Sequence, residues 1–136
     1  MSNTYAGCYH LTGSPVCGPN VTNMANTYMA CYNLTGVPVF GNNVTNIYEA
    51  YYGCSNMSGG DIYLYSPNIY NVVNCFYGKN TQARYNLHVP QGSTTETKCR
   101  NSISNYSIVG ATISWTRANT TCIYNTYYNI YIYSDL

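Results

Sequence analysis

The chain has 136 residues, with only five Lys or Arg, four Asp or Glu and a formal net charge of +1. This length suits a single domain with its own core. The low charge leaves no electrostatic footprint for nucleic acid or for an anionic membrane. No apolar run is long enough to span a bilayer, so we expect no nucleic-acid partner and no membrane insertion.

Residues 1–23 and 24–46 are two copies of one segment, identical at 16 of 23 positions without a gap. The cysteine of these copies recurs at Cys54, and the next cysteines follow at steps of 21, 24 and 23 residues. A fixed period of this length indicates a repeat architecture. We therefore predict one domain, 1–136, of six modules with these approximate bounds: 1–23, 24–46, 47–68, 69–91, 92–114 and 115–136.

The modules predict short β-strands separated by tight turns. Alternate residues differ in character along 27–34, and Ile or Leu alternates with Tyr along 62–65 and 130–133. Such a period of two is typical of a half-buried strand. Strong helix formers are scarce, and the Gly, Asn and Pro residues between the strands favour turns.

The predicted fold class is therefore all-β, a β-solenoid in which each module is one coil. An antiparallel, hairpin-built barrel, trefoil or sandwich is the alternative. A trefoil would place its strongest identity between every second hairpin, whereas here neighbouring copies are the most alike, which favours the solenoid.

Segments 41–48 and 129–134 resemble the right-handed parallel β-helix repeats of pectate-lyase-like proteins and of viral or microbial surface proteins. The resemblance implies a parallel β-helix and a place on a surface. It does not extend to the clustered acidic and basic residues that form the active sites of the enzymatic members.

Seven cysteines suit an oxidising compartment. Six of them share one repeat position, and Cys17 stands apart. Pairing of neighbouring copies would join Cys8 to Cys31, Cys54 to Cys75 and Cys99 to Cys122, and would leave Cys17 free or intermolecular. A local Cys8–Cys17 link and a row of buried, unpaired thiols are the alternatives, because the sequence does not fix connectivity.

The chain also carries six N-glycosylation sequons, which indicate an exported surface protein. The sequence shows no signal peptide, but cysteines and sequons together predict an extracellular, cell-surface or virion location. The candidate glycosylation sites are Asn20, Asn33, Asn43, Asn56, Asn105 and Asn119.

No catalytic, cofactor or metal motif is evident. The four acidic residues fall in different modules, and His10 and His88 are isolated in the sequence. No nucleophile–base order, phosphate loop or paired carboxylates can be assigned. We therefore expect a protein that is not an enzyme, binds no cofactor and holds no metal.

Two functions remain. The first is a structural subunit of an extracellular filament, surface layer or virion appendage, self-associating through β faces rich in Tyr, Asn and Thr. Its candidate contact face is Tyr63, Tyr65, Tyr131 and Tyr133. The second is a secreted multivalent lectin, in which the tyrosines and Trp115 stack on sugars.

Overall fold

The computed structural model describes residues 1–104, 116–117, 122–125 and 129–136. Three strands, β1 (Gly60–Tyr63), β2 (Tyr85–His88) and β5 (Ile130–Tyr133), form an open parallel sheet. Two further strands, β3 (Thr116–Arg117) and β4 (Cys122–Asn125), extend it in antiparallel orientation, which gives the strand order β1-β2-β5-β4-β3. The one helix among the described residues is α1 (Thr94–Ser104).

The prediction of an all-β protein with six β-solenoid modules is wrong, and the hairpin-built alternatives fail as well. Helix α1 occupies the range that was predicted as the fifth module. Residues 1–59 form turns and no strand, and isolated parallel bridges join Asn23 to Asn46 and Asn46 to Asn71. The parallel sheet is only three strands wide.

The near-identical copies form layers of turns that lie side by side. We call the segments 1–8, 24–31, 47–54 and 72–79 the turn stack. Alternate backbone N–H groups donate to the next layer, as from Tyr28 to the carbonyl of Ala50 at 2.8 Å. The N–H groups between them donate three residues back, as from Cys31 to Tyr28 at 3.1 Å. The backbone N–H groups of a layer therefore find hydrogen-bond acceptors although the layer contains no extended strand.

Left-handed residues make this turn geometry possible. Each layer has one at its third position, as at Asn26 (φ 55°), and one four residues later, as at Gly53 (φ 77°). Asn and Gly tolerate this conformation better than other residues, and its recurrence prevents either a continuous strand or a continuous helix. The turn residues of the repeat therefore form the layers themselves and do not merely connect strands.

Two buried tyrosines fasten the turn stack to the loops that follow each layer. The hydroxyl of Tyr28 donates to the carbonyl of Val16 at 2.6 Å and accepts from its N–H at 3.0 Å. Tyr51, one repeat later, makes the same pair of bonds with Val39, at 2.6 and 2.9 Å. Their rings stack at 5.2 Å, so one tyrosine position supplies packing and polar satisfaction in successive copies.

The parallel sheet has one buried and one open face, and here the predicted alternation is confirmed. Ile62, Leu64, Ile130 and Ile132 are buried, as are Tyr85, Leu87 and Val89 from β2 and its end. Tyr63 and Tyr65 point outward, with 44% and 51% of their surface exposed. The outward positions of β1, β2 and β5 therefore form a continuous surface.

Helix α1 begins with a capping interaction at Ser93. The hydroxyl of Ser93 accepts a hydrogen bond from the N–H of Glu96 at 3.0 Å, and the Glu96 carboxylate accepts from the N–H of Gly92. The buried hydroxyl of Thr95 donates to the carbonyl of Ser66 and accepts from a backbone N–H of the same loop. The helix is thereby tied to the loop after β1.

Candidate contact surface

Four aromatic rings cross the open face of the sheet in one row. They stack in the order Tyr65, Tyr63, His88 and Tyr133, with centroid separations of 5.7, 4.9 and 5.3 Å. The parallel register places Tyr63, His88 and Tyr133 on one rung of the sheet. Because each ring covers the face of its neighbour, the row presents ring edges and hydroxyl groups to solvent. We call these four residues the aromatic row.

His88 lies between two carboxylates as well as between two rings. Its Nε2 is 2.9 Å from Oδ1 of Asp61, and its Nδ1 is 2.7 Å from Oδ2 of Asp135. Both nitrogens can donate to these acceptors at once only when the ring is a protonated imidazolium. Burial lowers the pKa of His88, but the two carboxylates outweigh burial and raise the pKa above its ordinary value. The hydrogen bond from His88 lowers the pKa of Asp61.

Arg84 lies on the same open face, at the end where β2 begins. It lies just before β2, donates from Nε to Oδ1 of Asn86 at 2.8 Å, and donates from a terminal nitrogen to the hydroxyl of Tyr133 at 2.8 Å. Its guanidinium carbon lies 3.8 Å from the centre of the Tyr131 ring. These contacts fix the side chain in an exposed position while leaving other donors of the guanidinium for a partner.

A groove of about 220 Å³ runs beside the aromatic row. One wall carries Tyr63, Tyr65 and Asp61, and the other comes from the loop 37–42, including Pro38 and Asn42. The groove is thus apolar along its length and has a carboxylate and an amide at its edge.

The structure brings the four predicted contact tyrosines together on this face. Tyr63, Tyr65 and Tyr133 belong to the aromatic row, and Tyr131 lies under Arg84. The sequence interpretation missed His88, Asp61 and Asp135, which it treated as isolated because they are distant in the chain. The alternation of residues 85–89 could have identified β2, but no sequence pattern indicates that β2 pairs with β1 and β5.

Four predicted glycosylation asparagines are exposed, whereas Asn105 and Asn119 lie outside the described residues, as does Trp115. The side-chain amide of Asn33 donates to the carbonyl of Tyr9 at 2.6 Å, and that of Asn43 donates to Pro19 at 3.0 Å. These two amides therefore also link neighbouring copies. The four exposed sites are Asn20, Asn33, Asn43 and Asn56.

Five of the six repeated cysteines carry free thiols in the described part of the chain, and so does Cys17, which is half-buried; the five are Cys8, Cys31, Cys54, Cys75 and Cys99. The thiol of Cys31 donates to the carbonyl of Tyr5 at 3.1 Å, and that of Cys54 donates to Tyr28 at 3.0 Å. Burial raises the pKa of Cys54 to about 12. At Cys31 and Cys54 the repeat position is thus a thiol that donates a hydrogen bond to the preceding layer.

Pairing under oxidising conditions stays a prediction for the two expected bridges of the first four modules, Cys8–Cys31 and Cys54–Cys75. Cys99 is buried, and burial raises its pKa to about 12. The side chain of its expected partner, Cys122, lies outside the described residues.

Among the described residues, no group of three or more His, Cys, Asp or Glu side chains is placed to hold a metal ion. No helix in the described ranges combines the length and apolarity needed to cross a membrane. Comparison with known proteins gives no match to a family model, to a curated protein or to a solved structure. The resemblance to parallel β-helix repeats therefore stays a prediction from the sequence.

Proposed function

We propose that this protein is a non-enzymatic structural subunit that associates with copies of itself through the open face of the parallel sheet. The observation that carries the proposal is the aromatic row. Its stacked rings offer edges and hydroxyls at a fixed geometry, and tyrosine contributes contact area and hydrogen bonds at low conformational cost. A rigid surface of this kind loses little entropy on association.

The state of His88 supports a binding role over a catalytic one. A general base needs a nitrogen that can accept a proton, whereas both nitrogens of protonated His88 would donate to carboxylates. Placement in an extracellular filament, surface layer or virion appendage rests on the seven cysteines and six sequons, of which four are exposed.

Sedimentation velocity over a range of protein concentrations tests the proposal. We expect concentration-dependent association that is weakened by the double substitution Tyr63→Ser and Tyr65→Ser. Tyr70→Ser is the matched control, because Tyr70 is 56% exposed and lies outside the aromatic row. A protein that stays monomeric at all concentrations, or a control that weakens association equally, would contradict the proposal.

Carbohydrate binding is the second candidate, and the groove beside Tyr65 favours it. Tyr65 ends the aromatic row with 51% of its surface exposed, and Asp61 and Asn42 line the same groove. An open ring face beside a carboxylate and an amide can stack on a sugar and accept its hydroxyl hydrogens. A glycan array with the wild-type protein and the Tyr65→Ser variant tests this: binding that is lost with Tyr65 supports it, and no binding by the wild type rejects it.

A further inference from the structure

The charged groups on the open sheet face alternate in sign along one line. Arg84 stands before β2, Asp61 is on the second rung of β1, His88 ends β2, and Asp135 follows β5. Asn86 joins the first two, because it accepts from Arg84 and lies on the same rung as Asp61. With His88 as an imidazolium, the order along the face is positive, negative, positive, negative. His88 is four residues after Arg84, which is about 13 Å along the strand between their Cα atoms.

Such an order is its own complement. Rotating a second copy by 180° about an axis that lies in the interface and is perpendicular to the strands brings the two faces together and reverses the order to negative, positive, negative, positive. Arg84 of each copy then faces Asp135 of the other, whereas His88 stays paired with the carboxylates of its own chain. A two-fold interface pairs residues reciprocally in this way.

We propose that the open face of the parallel sheet is a two-fold dimer interface, in which Arg84 of each copy pairs with Asp135 of the other. The inference rests on the proposed self-association and specifies its partner and orientation. The aromatic row supplies contact area between the sheets, and the alternating charges set the register, since complementary charges give specificity more than affinity.

The alternative orientation shows why the charges matter. If the second copy were instead rotated by 180° about an axis parallel to the strands, Arg84 would approach Arg84 and Asp135 would approach Asp135. Like charges placed together in an interface disfavour that arrangement. The tyrosine hydroxyls and ring edges alone would not distinguish the two orientations, because they are similar at both ends of the row.

Charge reversal tests the proposal. The single variants Arg84→Glu and Asp135→Lys each place two like-charge contacts in the dimer, and we expect each to raise the dissociation constant roughly tenfold or more. Lys98→Glu, an exposed charge reversal on α1, is the matched control and should leave association unchanged. Circular dichroism and the unfolding midpoint establish that every variant is folded.

Two combinations make the test specific. The double variant Arg84→Glu/Asp135→Lys restores opposite charges in both contacts, so it should dimerise again. An equal mixture of the two single variants should form a heterodimer, because each chain then meets its complement at both contacts. Isotope labelling of one variant and native mass spectrometry detect the mixed species.

The outcomes separate this inference from the proposed function. Association that is insensitive to both single variants overturns the two-fold sheet interface and leaves self-association in place. Weakened single variants that neither the double variant nor the mixture rescues overturn the reciprocal pairing of Arg84 with Asp135. A wild-type protein that never associates overturns both proposals.

Discussion

Ala30 occupies a backbone position that the other layers of the turn stack give to glycine. Its φ is 60°, and the equivalent residues Gly7, Gly53 and Gly78 have φ of 73°, 77° and 78°. The left-handed region costs an L-residue about 1–2 kcal/mol because its Cβ approaches the backbone. Ala30 is therefore strained at this position, and the equivalent glycines of the layers on either side are internal references.

Replacing Ala30 with glycine removes this strain and adds conformational freedom to the unfolded chain, which costs about 0.4–1 kcal/mol. The relieved strain exceeds this entropy cost, so we expect Ala30→Gly to stabilise the protein by about 0.5–1 kcal/mol. The reverse change, Gly53→Ala, should destabilise it by a similar amount. A Cβ at Gly53 would lie 3.4 Å from the Tyr32 ring and 3.5 Å from the Ala30 backbone, which are ordinary contacts. Backbone strain, and not a clash, therefore sets the cost.

Urea unfolding followed by circular dichroism measures both changes, and the expected free-energy differences correspond to shifts of a few degrees in the thermal midpoint. Ala6→Gly is the control, because Ala6 is also half-buried in a turn layer but is not among the residues with positive φ. The Ala6→Gly variant should be less stable than the wild type by about 0.5–1 kcal/mol, because glycine gains no relief of strain at that position. If Ala30→Gly destabilises as much as Ala6→Gly, the assignment of strain to Ala30 is wrong.

Three further predictions concern the buried hydroxyl, the thiols and the histidine. Tyr51→Phe should cost about 1–3 kcal/mol in urea unfolding, because it leaves the N–H and carbonyl of Val39 without their partner; an unchanged midpoint would contradict this. Iodoacetamide labelling of the native protein, followed by peptide mass mapping, should modify exposed Cys8 well before Cys54, and simultaneous labelling would refute the buried-thiol arrangement. The raised pKa of His88 means that its stabilising contribution is complete below the ordinary value of 6.5 and is lost as pH rises through the higher folded-state pKa. The unfolding free energy of wild type relative to His88→Asn should therefore fall from mildly acidic to alkaline pH, and a constant difference would reject the ion pairs.

The sequence identified the sheet face but not the form of the repeat. Along 62–65 and 130–133 the period of two is correct, because those segments are half-buried strands. From Tyr28 onward in the second copy, the buried positions are instead three residues apart, at Tyr28, Cys31 and Leu34. A strand would place Tyr28 and Cys31 on opposite faces. Counting the apolar spacing over several copies, rather than the alternation within one, could have shown the difference.

The helix was missed although a local signal was present. Ser93 and Glu96 have the spacing of a capping box, and the structure shows Ser93 capping the helix. The segment after them lacks the apolar periodicity that usually supports a helix prediction.

The ion pairs of His88 had no local signal in the sequence, because they depend on which strands become neighbours. The pairing of residues 60–63 with 85–88, and of those with 130–133, is a long-range choice that no local pattern encodes.

Charged residues are absent from the two near-identical copies and are present on the open face of the sheet. The first 48 residues, which include the two near-identical copies, contain no Asp, Glu, Lys or Arg. A surface of repeated Asn, Thr and Tyr without charge offers similar contacts at every layer, so it does not by itself select one orientation of a partner. The sheet lies after the two near-identical copies, and its open face carries Asp61, Arg84 and His88. In the dimer that we propose, these charges would select one orientation of a second copy, which the uncharged copies do not select.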